Sequence, residues 1–287
     1  MRSVSHKVAF WDHQTVKPTN TLGILNAIMN AQTLNSAWDK LCEAMASYGF
    51  TRLMYGRSHF TVGKNLGDEA DYMVLSNHDP EYFDFFIRTG LFKRSPFFLW
   101  SFENTGFVSW STLFNLPKNI LANSNELLEA NTRFGVTAGY TASFPNALAG
   151  QKSVASICSR QGMTQHDVDF IWNSHRQDLE AIWNAFDLKA RSLPFPSSEG
   201  RLTAKQREIL RWVASGKTGQ EISIILGVTT STIEKHLKSA RNALDVITTA
   251  QAVAKLSFLN QLHVDQDSEQ RVLSEFVKFS TVNNDHS

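Results

Sequence analysis

Apolar positions recur at helical spacing over residues 21–31 and 34–48, and again over 80–89, 95–103 and 124–134, which predicts a helix at each place. Between them, runs rich in β-branched and aromatic residues predict strands at 50–58, 71–76, 106–110, 136–144 and 152–159. Helices and strands alternate irregularly, and loops such as Gly56 to Asp71 are too short to hold crossover helices. An α+β unit with an antiparallel sheet covered by helices therefore fits better than a doubly wound parallel sheet. The clearest element spans 164–190, where Val168, Ile171, Trp172, Leu179, Ile182, Trp183 and Phe186 make one apolar stripe. Thr164 with Asp167 at the third helical position caps it. Its two tryptophans suit ordinary core, or in part a subunit interface, where aromatics concentrate.

Periodicity stops at Arg191-Ser-Leu-Pro-Phe-Pro-Ser-Ser-Glu-Gly-Arg201, which reads as a linker between a first domain at 1–190 and a second at 202–262. Residues 263–287 form a polar, acidic extension, with a short apolar pattern at Val272, Leu273, Phe276 and Val277 that predicts one weak helix. Charge sharpens this division. The whole chain of 287 residues carries only +1, but residues 200–264 hold nine Lys/Arg against four Asp/Glu, while the segments on either side are net acidic. Such a compact basic block is the footprint of a polyanion-binding module. No apolar run is long enough to span a bilayer, and the opening MRSVSHKVAFWDHQTV lacks the apolar core and cleavage site of a secretory signal, so a cytoplasmic chain without membrane association is expected. Cys42 and Cys158 are too few for a disulfide framework or a zinc site, and read as free, buried thiols.

Within 202–262 the sequence writes four short helices. Thr203 with Gln206, and Thr218 with Glu221, fit the capping box. Gly227-Val228-Thr229 separates the second helix from the third, with glycine available for a left-handed turn and Thr229 as the next cap. Helix, three-residue turn and helix make a helix-turn-helix. Ile233, Leu237, Ala240 and Leu244 face inward, which turns Ser231, Lys235, Lys238 and Asn242 outward, flanked by Glu234 and Arg241. These residues, with Thr218 and Thr230 at helix starts, are the candidate contacts to double-stranded DNA, because hydroxyl, amide and cationic groups on one helix face can enter the major groove. Gly216-Lys217-Thr218 suggests a phosphate loop, but that motif needs glycine where Arg211 stands.

The run from Leu202 to Leu256 closely resembles the DNA-binding domain of LuxR-type transcriptional regulators, through Leu202-Thr203, Glu208, Leu210, Gly216-Lys217-Thr218, Glu221-Ile222, Thr232, Ile233, His236 and Gln251-Ala252-Val253. Glu234 stands where that family usually has Lys, Ser239 where it often has Asn, and Asp245 where Gly is common. An acidic side chain at 234 repels phosphate but accepts from cytosine, so altered base preference is expected.

Nothing in the first domain fits a phosphoacceptor receiver. Residues 21–190 instead resemble, more weakly, the autoinducer-binding domain of quorum-sensing LuxR-type proteins, through Gly49-Phe50, Gly56, Asn77, Gly90, Pro96, Trp110, Gly135 and Gly139. That resemblance implies a sheet between two helical layers, holding an acyl-homoserine lactone. It implies, too, that Trp110 is an aromatic pocket wall, that Tyr82 replaces the tryptophan donating to the lactone carbonyl, and that Phe86 replaces a tyrosine. Ser95 replaces the aspartate that accepts the ligand amide, a loss of roughly 1 kcal/mol or more for an unmodified lactone. Tyr55, His78 and Cys158 are further candidate lining. Binding of ligand by the folded state would couple signal to stability and dimerisation, and a symmetric dimer would read an inverted-repeat operator. The other reading is a LuxR-type regulator whose pocket is vestigial and which answers to a non-lactone signal or a protein partner. Neither a catalytic triad nor metal-ligand spacing or paired carboxylates in context is found, so no enzyme and no cofactor is expected.

Overall fold

The computed structural model describes residues 20–58, 72–115, 125–145, 150–194 and 202–264. Its first part is built on a five-stranded antiparallel sheet of β1 (Arg52–Ser58), β2 (Tyr72–Ser76), β3 (Gly106–Ser109), β4 (Gly139–Ser143) and β5 (Lys152–Cys158), in the order β2-β1-β5-β4-β3. Register fixes which side chains share a face. Met54 lies opposite Ser76 and Ser156, and Ser156 opposite Thr141, so one row crosses four strands.

On one face lie α1 (Thr21–Met29), α2 (Leu34–Ser47) and α6 (Gln165–Ser192), which close the main core over Leu53, Tyr55, Leu75, Tyr140, Phe144 and Ile157. Trp183, Ile182 and Leu179 of α6 are fully buried there. Trp172 stacks on Tyr140 at 4.1 Å, so both tryptophans of the stripe are core rather than interface. Losing either indole to alanine would cost about 3–5 kcal/mol. The capping box of Thr164 and Asp167 starts α6, and the helix bends at His175, whose ring meets Tyr48 edge-on. Helix α6 runs on to Ser192, beyond the expected end at 190, because Arg191 reaches back to Asp187 at 2.8 Å across one turn. Arg191 and Ser192 thus belong to the helix and not to the linker.

Over the opposite face stand α3 (Pro80–Arg88), α4 (Pro96–Glu103) and α5 (Asn125–Arg133), the second helical layer. Two short 3-10 turns, Leu91–Arg94 and Trp110–Asn115, were not signalled by periodicity. Within the described residues, the remaining predicted helices and strands match observed ones to within a few residues at their ends.

The second part consists of α7 (Ala204–Ala214), α8 (Gly219–Leu226), α9 (Thr230–Ala243) and α10 (Thr249–Phe258) around Ile209, Leu210, Ile222, Ile233, Leu237 and Leu256. Capping boxes at Thr203 and Thr218 are present, as is one at Thr248. Thr229 accepts from the Thr232 amide, and Gly227 takes the left-handed conformation at φ 65°. Asn260 joins the two parts, its side-chain amide donating to the carbonyls of Arg191 at 2.7 Å and Leu193 at 3.0 Å. Arg211 similarly holds the carbonyls of Leu262 and Val264. Among the described residues no helix is long and apolar enough to cross a membrane. The opening segment, the middle of the linker and the apolar pattern at Val272 to Val277 lie outside the described residues.

Candidate ligand cavity and nucleic-acid interface

Between the sheet and helices α3, α4 and α5 lies a cavity of about 860 Å³. Strand alternation supplies its floor: Met54, Gly56 and Ser58 of β1, Tyr72 and Val74 of β2, Thr141 of β4, and Lys152, Val154 and Ser156 of β5. The helices supply its roof through Tyr82, Phe86, Phe97, Phe98, Leu127 and Asn131. A mostly aromatic and aliphatic wall with a few polar groups is the chemistry of a small-molecule site.

Of the predicted lining residues, Tyr82, Phe86, Ser95 and Trp110 reach the cavity. Tyr82 is buried, stacks on Phe86 at 5.6 Å, and donates its hydroxyl to Asn131 Oδ1 at 2.9 Å. Burial raises its pKa, so the phenol stays a neutral donor. Trp110 lies against Phe97 and donates its indole N–H to Thr141 Oγ1 at 2.9 Å. Gly139 makes room for that ring, since a Cβ there would sit 3.1 Å from the Trp110 indole and only 2.3 Å from the Ile157 carbonyl oxygen. Ser95 is the N-cap of α4, its hydroxyl accepting from the Phe98 amide at 3.4 Å with Pro96 at the first helical position.

Tyr55, His78 and Cys158 are not brought to the cavity wall. The period-two alternation that turns Met54 inward turns Tyr55 to the other face, where its hydroxyl donates to Asp187 at 2.8 Å. His78 is buried behind Tyr82, ring to ring at 5.0 Å. Burial, reinforced by Arg52, pulls its pKa down to about 4 and leaves it neutral. Cys158 faces the same way as Met54 but is covered by Tyr82 and Val136, and burial pushes its pKa up to about 11. Sequence reasoning missed Asn131, Thr141 and Lys152. Lys152 was legible, because it shares alternation with Val154, Ser156 and Cys158 on β5.

On the second part, Thr230, Ser231, Glu234, Lys235, Lys238 and Asn242 lie exposed along α9, opposite the buried Ile233, Leu237 and Ala240. Glu234 lies near the start of α8, where a Cβ on Gly219 would stand 3.7 Å from its carboxylate. Thr218 caps α8 and is exposed. Arg241 differs from the rest: it is half-buried and donates one guanidinium N–H to Thr249 Oγ1 at 2.9 Å, which ties α9 to α10.

The chain matches the family described as autoinducer binding domain over residues 33–190, and the family described as bacterial regulatory proteins, luxR family, over residues 200–256. It is 22% identical over 216 residues to transcriptional activator protein CarR of Pectobacterium carotovorum subsp. carotovorum, covering 72% of this chain and 86% of that protein. HTH-type quorum sensing-dependent transcriptional regulator RpaR of Rhodopseudomonas palustris is 44% identical over 77 residues, 27% of this chain and 32% of that protein. Among solved structures, the N-acylhomoserine lactone dependent LuxR family transcription factor CepR2 from Burkholderia cenocepacia aligns with 19% identity over 60% of this chain and 96% of that one, at a TM-score of 0.48.

Proposed function

This chain belongs to the LuxR family of bacterial transcriptional regulators that carry an autoinducer-binding domain, and we propose that its signal is a small amphipathic molecule of the acyl-homoserine lactone class, bound in the cavity under α3, α4 and α5. The observation that carries this reading is the cavity itself. At about 860 Å³, walled by Tyr82, Phe86, Phe97, Phe98 and Trp110, it has the volume and apolar lining that take up a lipid-like ligand. Tyr82, Trp110 and Ser95 supply polar groups for a head group, with Ser95 giving the ligand amide a neutral acceptor. The protein acts in the cytoplasm as a homodimer whose two α9 helices read an inverted-repeat operator. Exposed Phe170 and Leu188 on α6 support a contact surface there, and α10 is the second candidate. Residues 1–190 then serve sensing and dimerisation, and 202–262 serve DNA binding.

Because ligand binds only the folded state, a concentration one hundred times Kd adds about 2.7 kcal/mol of stability. Expression of the full chain with and without acyl-homoserine lactones, followed by mass spectrometry of the extracted small molecules, tests the reading. Higher soluble yield and a retained lactone are expected. Yield indifferent to every lactone, with an extract empty of small molecules, would mean a vestigial pocket. One observation favours a signal other than a lactone: the Tyr82 and Trp110 donors are already engaged with Asn131 and Thr141.

A further inference from the structure

The two ends of the cavity differ in chemistry, and strand register says how far apart they are. At one end Tyr82 and Trp110 gather around Met54 and Cys158. Four residues further along β1, Ser58 lies between Tyr72 of β2 and Lys152 of β5, so hydroxyl and ammonium groups form a row across three strands. With about 3.3 Å of rise per residue, the two ends stand roughly 13 Å apart.

Lys152 is an unusual residue for an apolar cavity. It is only 6% exposed, and its Nζ donates to Ser143 Oγ at 2.7 Å. That hydroxyl shares its single proton between the carbonyls of Ser101 and Asn104, so it offers the ammonium a dipole and no counter-charge. Arg57, one position before Ser58 on β1, is buried, but alternation turns its side chain to the α6 face with Tyr55, where its Nε is unpartnered among the described residues. Arg191 acts electrostatically on both. Among the described residues the carboxylate beside Arg57 and Arg191 is Asp187, on the α6 face, which already pairs with Arg191 at 2.8 Å and accepts from Tyr55 at 2.8 Å. A buried ammonium with no carboxylate partner among the described residues is a costly imbalance, relieved by an anion from outside the protein. Burial, with a contribution from Arg191, lowers the Lys152 pKa, as such an imbalance requires.

We propose that Lys152 anchors a carboxylate at the far end of the ligand, so that the signal is polar at both ends and does not finish in a plain alkyl tail. The proposal rests on the cavity being the signal site. A bare methyl terminus at Lys152 would displace water from the ammonium and return nothing, whereas a carboxylate gains a charge-assisted hydrogen bond.

Calorimetric titration of the full chain with two pairs of probes tests it: decanoyl-homoserine lactone against the matching lactone whose acyl chain ends in a carboxylate, and decanol against decanoic acid. Each carboxylate probe is expected to bind about tenfold more tightly than its neutral counterpart. Lys152→Met should abolish that preference. Lys152→Gln, which retains a hydrogen bond to Ser143 without the charge, should abolish it too and carries the test if the methionine variant does not fold. Equal binding within both pairs, or a preference that survives both substitutions, overturns the anchor, while lactone binding would leave the signal-site reading standing. Preference for decanoic acid with no binding of either lactone upholds the anchor and removes the lactone. No binding by any probe overturns both.

Discussion

Ser95→Asp is the substitution that most directly interrogates the lactone. Ser95 caps α4 through a hydrogen bond of 3.4 Å to the Phe98 amide, long for a cap, and it lines the cavity. Aspartate is as good an N-cap as serine, and its charge is favoured at a helix N-terminus, so the fold should tolerate the change. Ser95 is half-buried, which spares the new carboxylate the full desolvation penalty. For a ligand amide, replacing a neutral acceptor by a charged one changes the hydrogen bond from about 1 to about 1.5–3 kcal/mol. The net gain is about 1 kcal/mol, roughly fivefold in Kd. Titration calorimetry with decanoyl-homoserine lactone on the wild-type and variant chains reads this, with urea unfolding as the control on the fold. Should the variant unfold at the same urea concentration yet bind the lactone no more tightly, the ligand amide does not lie at residue 95, and the pocket alignment is wrong.

Three further outcomes are expected. Replacing Lys235 and Lys238 of α9 by alanine should weaken binding to the protein's own promoter region and flatten the slope of log K against log salt by about 2, and unchanged gel retardation would remove α9 from the interface. His78 is held neutral with a pKa near 4, below its unfolded value of about 6.5, so its contribution to stability is present above pH 6.5 and is lost as pH falls toward 4. Its size is on the order of 3 kcal/mol. His78→Phe, which keeps the stacking on Tyr82, should flatten the urea midpoint over that window, and an unaltered pH profile would show that His78 is not the group that titrates. Asp245 sits at φ 51°, a conformation that glycine adopts freely, so Asp245→Gly should stabilise by about 0.5 kcal/mol with unchanged m, and a fall in the urea midpoint would reveal a compensating role for the carboxylate.

How far the sequence could be read depends on the sequence distance over which each feature is decided. The helix starts at Thr164, Thr203, Thr218 and Thr229 are settled within three residues of the cap, and each one is found where its pattern stands. Asp245 was noticed as a departure from glycine, and its positive φ supplies the reason that glycine is common there. The 3-10 turns escaped because four to six residues carry no period to detect. Tyr55 was assigned to the pocket on its aromatic character, although alternation from Met54 sends it to the face of α6, where the decisive partner, Asp187, is 132 positions away. Arg241, expected on the open face, is half-buried and gives one of its guanidinium N–H groups to Thr249 on the following helix.

The cavity is the extreme case, since its polar groups are defined by pairs such as Tyr82 with Asn131, 49 positions apart, and Trp110 with Thr141, 31 apart. No local pattern encodes such a pair. Lys152 shows a different failure. Its place was available from alternation in β5, but a lysine is taken for a surface residue because charged groups are seldom buried without a partner. That prior is the reason its burial is informative. A cation retained in an apolar cavity, with a hydroxyl as its partner, is the position at which the proposed anchor separates a carboxylate-ended ligand from a neutral acyl chain.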